Sequence, residues 1–159
     1  MTVRLKWLMK FVVMGLCFVT FSPVVFAATL SDTDSVAGFW QTLDGKTKNP
    51  SSIIQIKSNG QFYKGTIIKT FSIPGKQSLK VCAVCTGDQK NKPIVGLTII
   101  HHMLCKPGYC SHGTILDPRN GKLYHASMRI VHHGAALKVR GYVGIPLFGK
   151  TVVWSRVTQ

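Results

Sequence analysis

From Val36 onward, apolar and polar residues alternate in short runs, and Gly, Pro, Asn and Asp interrupt the pattern every few residues. Successive side chains of a strand point to opposite faces, so a period of two predicts strands with one face inward and one outward. No stretch sustains the 3.6-residue period of an amphipathic helix. The clearest hairpin runs from residues 53–57 through Ser58-Asn59-Gly60 into 61–70, because Asn-Gly supplies the positive φ angles of a tight turn. A second runs from 113–116 through Asp117-Pro118-Arg119-Asn120-Gly121 into 122–131. In that last strand Tyr124, Ala126, Met128 and Ile130 share one face, and His125, Ser127 and Arg129 share the other. His132-His133-Gly134 then turns the chain into Leu137, Val139, Gly141 and Val143, alternating with Lys138, Arg140 and Tyr142. Residues 145–149 form the last loop and 151–157 the last strand; 38–43 and 94–101 complete a set of roughly eight. With no room for crossover helices the sheet is expected to be an antiparallel meander, and such a sheet loses its exposed edges by closing on itself. The expectation is therefore an all-β fold, a small meander closing into a barrel of roughly eight strands. Its longest irregular stretches, 71–80 with Pro74-Gly75 and 103–112 with Pro107-Gly108, are expected as functional loops at the barrel mouth.

The N-terminus breaks this pattern. Arg4, Lys6 and Lys10 precede an apolar run over 11–21, and Ser22-Pro23-Val24-Val25-Phe26-Ala27 follows it, with small residues at Val25 and Ala27. This is the order of an export signal cleaved after about Ala27, and the apolar run is short for a membrane span. Cys17 lies within the apolar run, flanked by Leu16 and Phe18, which does not fit a lipoprotein site. The expected organisation is a signal peptide over 1–27, a flexible segment over 28–35 and one domain over 36–159, exported to the periplasm or beyond.

Cleavage removes three of the 20 basic residues and none of the five acidic ones, leaving a formal charge near +12 with no glutamate anywhere in the chain. Such a balance suits anionic surroundings, an anionic membrane surface or an acidic protein, although the cations are spread singly as on a solvated surface. Nucleic acid is not expected as a partner of an exported domain that lacks interleaved arginines and aromatics. The carboxylates offer little for catalysis. Asp32 and Asp34 lie near the start of the mature chain, Asp44 precedes Gly45 in a turn, and Asp117 heads a turn whose geometry it defines together with Asn120 and Gly121. Two-carboxylate hydrolysis is disfavoured, and no Gly-x-Ser-x-Gly elbow is present. Cys82-x-x-Cys85 lacks the βαβ setting of a thiol redox enzyme. No catalytic residue and no cofactor are assigned, and a non-enzyme is expected. Cys82, Cys85, Cys105 and Cys110, with His101, His102 and His112 near the second pair, form a set that would suit zinc or copper(I) if reduced. In an oxidising compartment the same four cysteines become two disulfides, in any of three connectivities.

The ends of the domain add a resemblance. Gly38-Phe39-Trp40 and Trp154-Ser155-Arg156 are similar to the ends of lipocalin-like barrels, where a Trp of the first strand closes the base and an Arg of the last lies over it. Trp40, Trp154 and Arg156 are accordingly expected to close the barrel. The whole mature pattern runs from Gly38-Phe39-Trp40-Gln41-Thr42 through residues 60–68, Cys82-x-x-Cys85, Pro93-Ile94-Val95-Gly96-Leu97, residues 113–124, Val139-Arg140-Gly141-Tyr142, Pro146-Leu147-Phe148-Gly149 and Trp154-Ser155-Arg156. That order resembles the bacterial exported family known as domain of unknown function 2147. The resemblance implies a lipocalin-like barrel and brings no activity or ligand with it. The chain departs from the family in Cys105, Cys110 and its histidines. Because the family pattern includes the first cysteine pair and not clearly the second, it implies local pairing, Cys82 with Cys85 and Cys105 with Cys110. The functional expectation is a binder of a small apolar or amphipathic molecule; the alternative is a solid barrel that docks on anionic lipid or an acidic protein. Inward Phe62, Tyr124 and Met128 are large enough to fill the lumen, so the strand faces leave the choice open.

Overall fold

The computed structural model describes residues 34–158; the expected signal peptide and cleavage site lie outside the described residues. Eight strands follow one another: β1 (Gly38–Leu43), β2 (Pro50–Asn59), β3 (Phe62–Thr70), β4 (Thr98–Lys106), β5 (Tyr109–Asp117), β6 (Lys122–Val131), β7 (Ala136–Tyr142) and β8 (Gly149–Val157). Each pairs antiparallel with its neighbour, and β1 pairs with β8 through Phe39 to Val157, Trp40 to Arg156 and Gln41 to Ser155, so the sheet closes into a barrel. Closure satisfies the backbone groups that an open edge would leave unpaired. The expected all-β meander is thus the observed fold.

Two of the expected boundaries are corrected. Residues 94–97 are not strand: Pro93 bridges to Val81, Gly96 has a φ of 94°, and β4 begins only at Thr98. Residues 103–112 are not a mouth loop but the facing halves of β4 and β5, joined by a tight turn at Pro107-Gly108. The alternation misled here because His102 and His112 adopt φ angles of 53° and 58°. Such a residue inserted in a strand flips the parity of everything beyond it. Ile100 and Met103 are consequently both buried three positions apart, as are Cys110 and Gly113.

The chain alternates between two ends. The β1–β2, β3–β4, β5–β6 and β7–β8 connections lie at one end, the mouth, and the three remaining turns with both termini of the domain lie at the other, the base. The base half is solid. Trp40, Ile56, Ile100, Met103, Met128 and Leu137 are each 1% exposed or less and pack together across the lumen. Gly65 makes room for this packing, since a Cβ there would stand 2.8 Å from Ile100 Cδ1.

Candidate functional site

The base is sealed by Arg156. Its Nε donates to the Gly134 carbonyl at 2.7 Å, one terminal nitrogen to Ala37 at 3.1 Å and the other to Ser35 at 2.6 Å. The same guanidinium lies 4.3 Å from the centre of the Trp40 ring, whose Nε1 donates to the Val36 carbonyl at 2.9 Å. A cation over an indole face is attracted by the ring quadrupole, and here every polar atom it brings inside also finds a partner. Asp34 and Ser35, the two described residues of the segment 28–35, take part in this end: the Asp34 carbonyl accepts from Gly108 N at 2.9 Å. Trp154 sits elsewhere. It shares the inward face of β8 with Lys150, Val152 and Arg156, and lies on the floor of a cavity.

That cavity occupies the mouth half of the barrel and has a volume of about 940 Å³. Its deep wall is apolar: Ile54, Ile67, Ile99, Val139 and Trp154, with the ring of Tyr124. Met128 belongs to the packed base half, whereas Phe62 is only half-buried and meets His102 edge-on at 5.7 Å. Of the three large side chains that had left the lumen in question, only Tyr124 borders the cavity, and its hydroxyl accepts from Asn120 Nδ2 at 2.9 Å.

The rim is polar and built by turns. Asp44 closes the β1–β2 loop: its Oδ1 accepts from the backbone of Lys46 and Thr47, while Oδ2 pairs with Lys76 Nζ at 2.6 Å. The Lys76 bond, followed by the Thr47 backbone bond, holds the Asp44 carboxyl well below the usual carboxylate range. Asp117 does the same for the β5–β6 turn. Its Oδ1 accepts Arg119 N at 3.0 Å and Nε at 2.9 Å, and its carbonyl accepts from Gly121 N at 2.8 Å. Burial works to raise the Asp117 pKa, but the bonds and charge of Arg119 outweigh it and the net shift is downward. Asn120 Oδ1 accepts from Lys122 N at 2.9 Å. Gly121 has a φ of 69°, and a Cβ there would collide with the Val84 carbonyl, so this turn and the long β3–β4 connection lock together. Lys150 completes the rim. Among the described residues it has no ion-pair partner, though its charge helps to lower the Asp117 pKa.

Both rim carboxylates are held as anions by cations, an arrangement opposite to the raised pKa of a general acid. The cysteines are bonded as Cys82–Cys85 and Cys105–Cys110. The first bridge is buried within the β3–β4 connection beside the mouth turn at Pro118; the second ties β4 to β5 across the base hairpin. The two pairs are therefore at opposite ends and form no common ligand set. His101 is half-buried, and burial, then the neighbouring His102, depresses its pKa. His112 Nδ1 meets Ser111 Oγ at 2.7 Å. Among the described residues no three His, Cys, Asp or Glu side chains form a group able to hold a metal. Lys76 was not legible as a rim residue, because its partner Asp44 lies 32 positions away. Lys150 was legible in principle from its place in the inward series of β8.

Comparison with known proteins agrees with this architecture. Protein HP1028 of the human pathogen Helicobacter pylori, described as belonging to the lipocalin family, superposes with a TM-score of 0.66 over 78% of this chain and 84% of its own, at 16% identity. At that identity the likeness concerns the fold alone. No curated protein sequence matches the chain. A family profile matches residues 38–156, which run from the glycine that opens β1 to the arginine that plugs the base. The chain belongs to this family, DUF2147, of uncharacterized proteins conserved in bacteria.

Proposed function

We propose that the protein is a non-enzymatic, exported carrier of one small amphipathic molecule, held with its apolar part in the mouth half of the barrel and its polar end at the rim. The observation that carries this reading is the cavity itself: about 940 Å³, apolar in depth and charged at its edge, within the roughly 300–1,000 Å³ typical of small-molecule sites. Lys150, without an ion-pair partner among the described residues, favours a ligand whose polar end is anionic. The lipocalin-family description of HP1028 is in keeping with such a role.

Gly141 provides a clean test. It faces the cavity, and a Cβ there would lie 3.5 Å from Ile115 Cγ2 and 3.6 Å from Tyr124 Cβ, ordinary contacts that require no backbone shift. Native mass spectrometry of protein purified from its own cell envelope should show an added mass in the wild type that is lost in Gly141→Leu. A bare mass across repeated wild-type preparations, or an adduct indifferent to Gly141→Leu, would overturn the reading.

A further inference from the structure

The β7–β8 loop is unusual for an exposed turn. Over residues 143–148 it presents Val143, Ile145, Leu147 and Phe148, which are 65%, 55%, 76% and 70% exposed. Leu43 and Leu79, also exposed, border the same opening. Scattered apolar residues on a surface need no explanation, but four in one loop at the lip of a cavity form a patch.

Part of the loop's backbone is already paired within the protein. The Arg140 guanidinium donates through Nε to the Pro146 carbonyl at 2.8 Å and through a terminal nitrogen to the Leu147 carbonyl at 3.2 Å. Phe148 N donates to the Ile145 carbonyl at 3.1 Å, and Val143 N to the Phe148 carbonyl at 3.4 Å. Backbone groups that leave water without a partner are costly, and these already have partners within the protein.

Charge names the surface that such a loop would meet. The four mouth connections and the strand residues beside them carry Lys46, Lys48, Lys76, Lys80, Lys90, Lys92, Arg119, Lys122 and Lys150, against Asp44, Asp88 and Asp117. Charge alone does not choose an end of the barrel, because Lys106 and Arg129 make the base basic too. Among the described residues, only the mouth combines cations with an exposed apolar loop. A second copy of this chain is a poor occupant, since two such rims would repel each other.

We infer that the mouth docks face-down on an anionic phospholipid bilayer, with residues 143–148 inserted among the headgroups and the surrounding lysines on their phosphates. Apolar insertion with basic flanks is the established physics of interfacial anchoring. Docking would open the cavity directly onto the lipid, giving the carried molecule a source; the purpose rests on the carrier reading, but the binding does not.

The test is co-sedimentation of the mature protein with vesicles of phosphatidylcholine alone or mixed equally with phosphatidylglycerol. Retention is expected on the anionic vesicles only, falling as salt rises and screens the charges. The double variant Leu147→Ser, Phe148→Ser should lose about tenfold or more in partitioning while keeping its β-sheet circular dichroism and its melting temperature. The base variant Lys106→Glu, Arg129→Glu should remain on the vesicles. Phe148→Trp should shift its emission to the blue when vesicles are added. Absence of retention, retention unaffected by the loop variant, or loss in the base variant instead would each overturn the docking. So would a blue shift of the Trp variant that grows with protein concentration without vesicles, which would assign the loop to self-association. A bare mass for the wild-type protein with docking intact would instead tell against the carrier reading alone.

Discussion

Replacing Arg156 by alanine tests how the base is held shut. The substitution removes three charge-assisted hydrogen bonds, to Ser35, Ala37 and Gly134, together with the cation over Trp40. Hydrogen bonds to a charged group contribute about 1.5–3 kcal/mol each in favourable settings, and the cation–π contact about 0.5–2 kcal/mol. The terms share one side chain and do not add, and water can reach part of this half-buried site. A loss of about 3–4 kcal/mol is the reasonable total. For a domain of this size that is a fall in Tm of about 10–15 °C. Arg156→Lys keeps the charge but reaches fewer carbonyls than the planar fork, so it should fall between the two. Urea unfolding followed by tryptophan fluorescence reads both variants. A loss below about 1 kcal/mol for Arg156→Ala, or equal losses for alanine and lysine, would refute the idea that the fork and not mere packing closes the base.

Three further outcomes follow from the rim and its turns. Gly121→Ala should cost at least twice as much stability as Gly60→Ala: both sites have positive φ, worth about 1–2 kcal/mol, but only at Gly121 does a Cβ also strike a backbone carbonyl. Asp44 and Asp117 have folded pKa values below their unfolded ones, so their stabilisation is complete above about pH 4 and is lost as pH falls through the folded values. Thermal melts in acid should show that loss, and Lys76→Met should reduce the part that comes from Asp44. Non-reducing peptide mapping should recover Cys82 with Cys85 and Cys105 with Cys110, and any fragment linking the two pairs would contradict the bonding seen here. Both bridges close short loops, so reduction should leave the β-sheet circular dichroism intact and lower Tm only modestly.

The strands that could be read from the sequence are those whose alternation runs undisturbed. On β6, Ala126 and Met128 point inward between outward His125, Ser127 and Arg129, and on β7, Leu137 and Val139 do likewise. The Asp117–Gly121 turn was legible because its chemistry is local. The β4–β5 hairpin was not, since two bulged histidines reverse the parity and a strand carrying them no longer alternates. Ile94-Val95-Gly96-Leu97 looked like a strand for the opposite reason: it is apolar because Ile94 and Leu97, at the end of the β3–β4 connection, are buried in the core. The hollow itself was out of reach of pattern reading. Which half of a lumen fills depends on where large inward side chains fall along the barrel axis, and on Asn120 holding the Tyr124 hydroxyl at the rim.

A barrel plugged at one end and open at the other has a single door. Whatever enters must pass the rim, and the water it displaces must leave by the same opening, so loading and exchange proceed in file and not by through-flow. A molecule with one charged end can pass only tail first if that end is to remain beside Lys150. Its departure then begins with the charged end leaving the rim, and the residence time is set by the loops over the mouth and hardly at all by the barrel wall. Substitutions in those loops should therefore change the rate of exchange, while substitutions along the apolar wall change which molecule is retained.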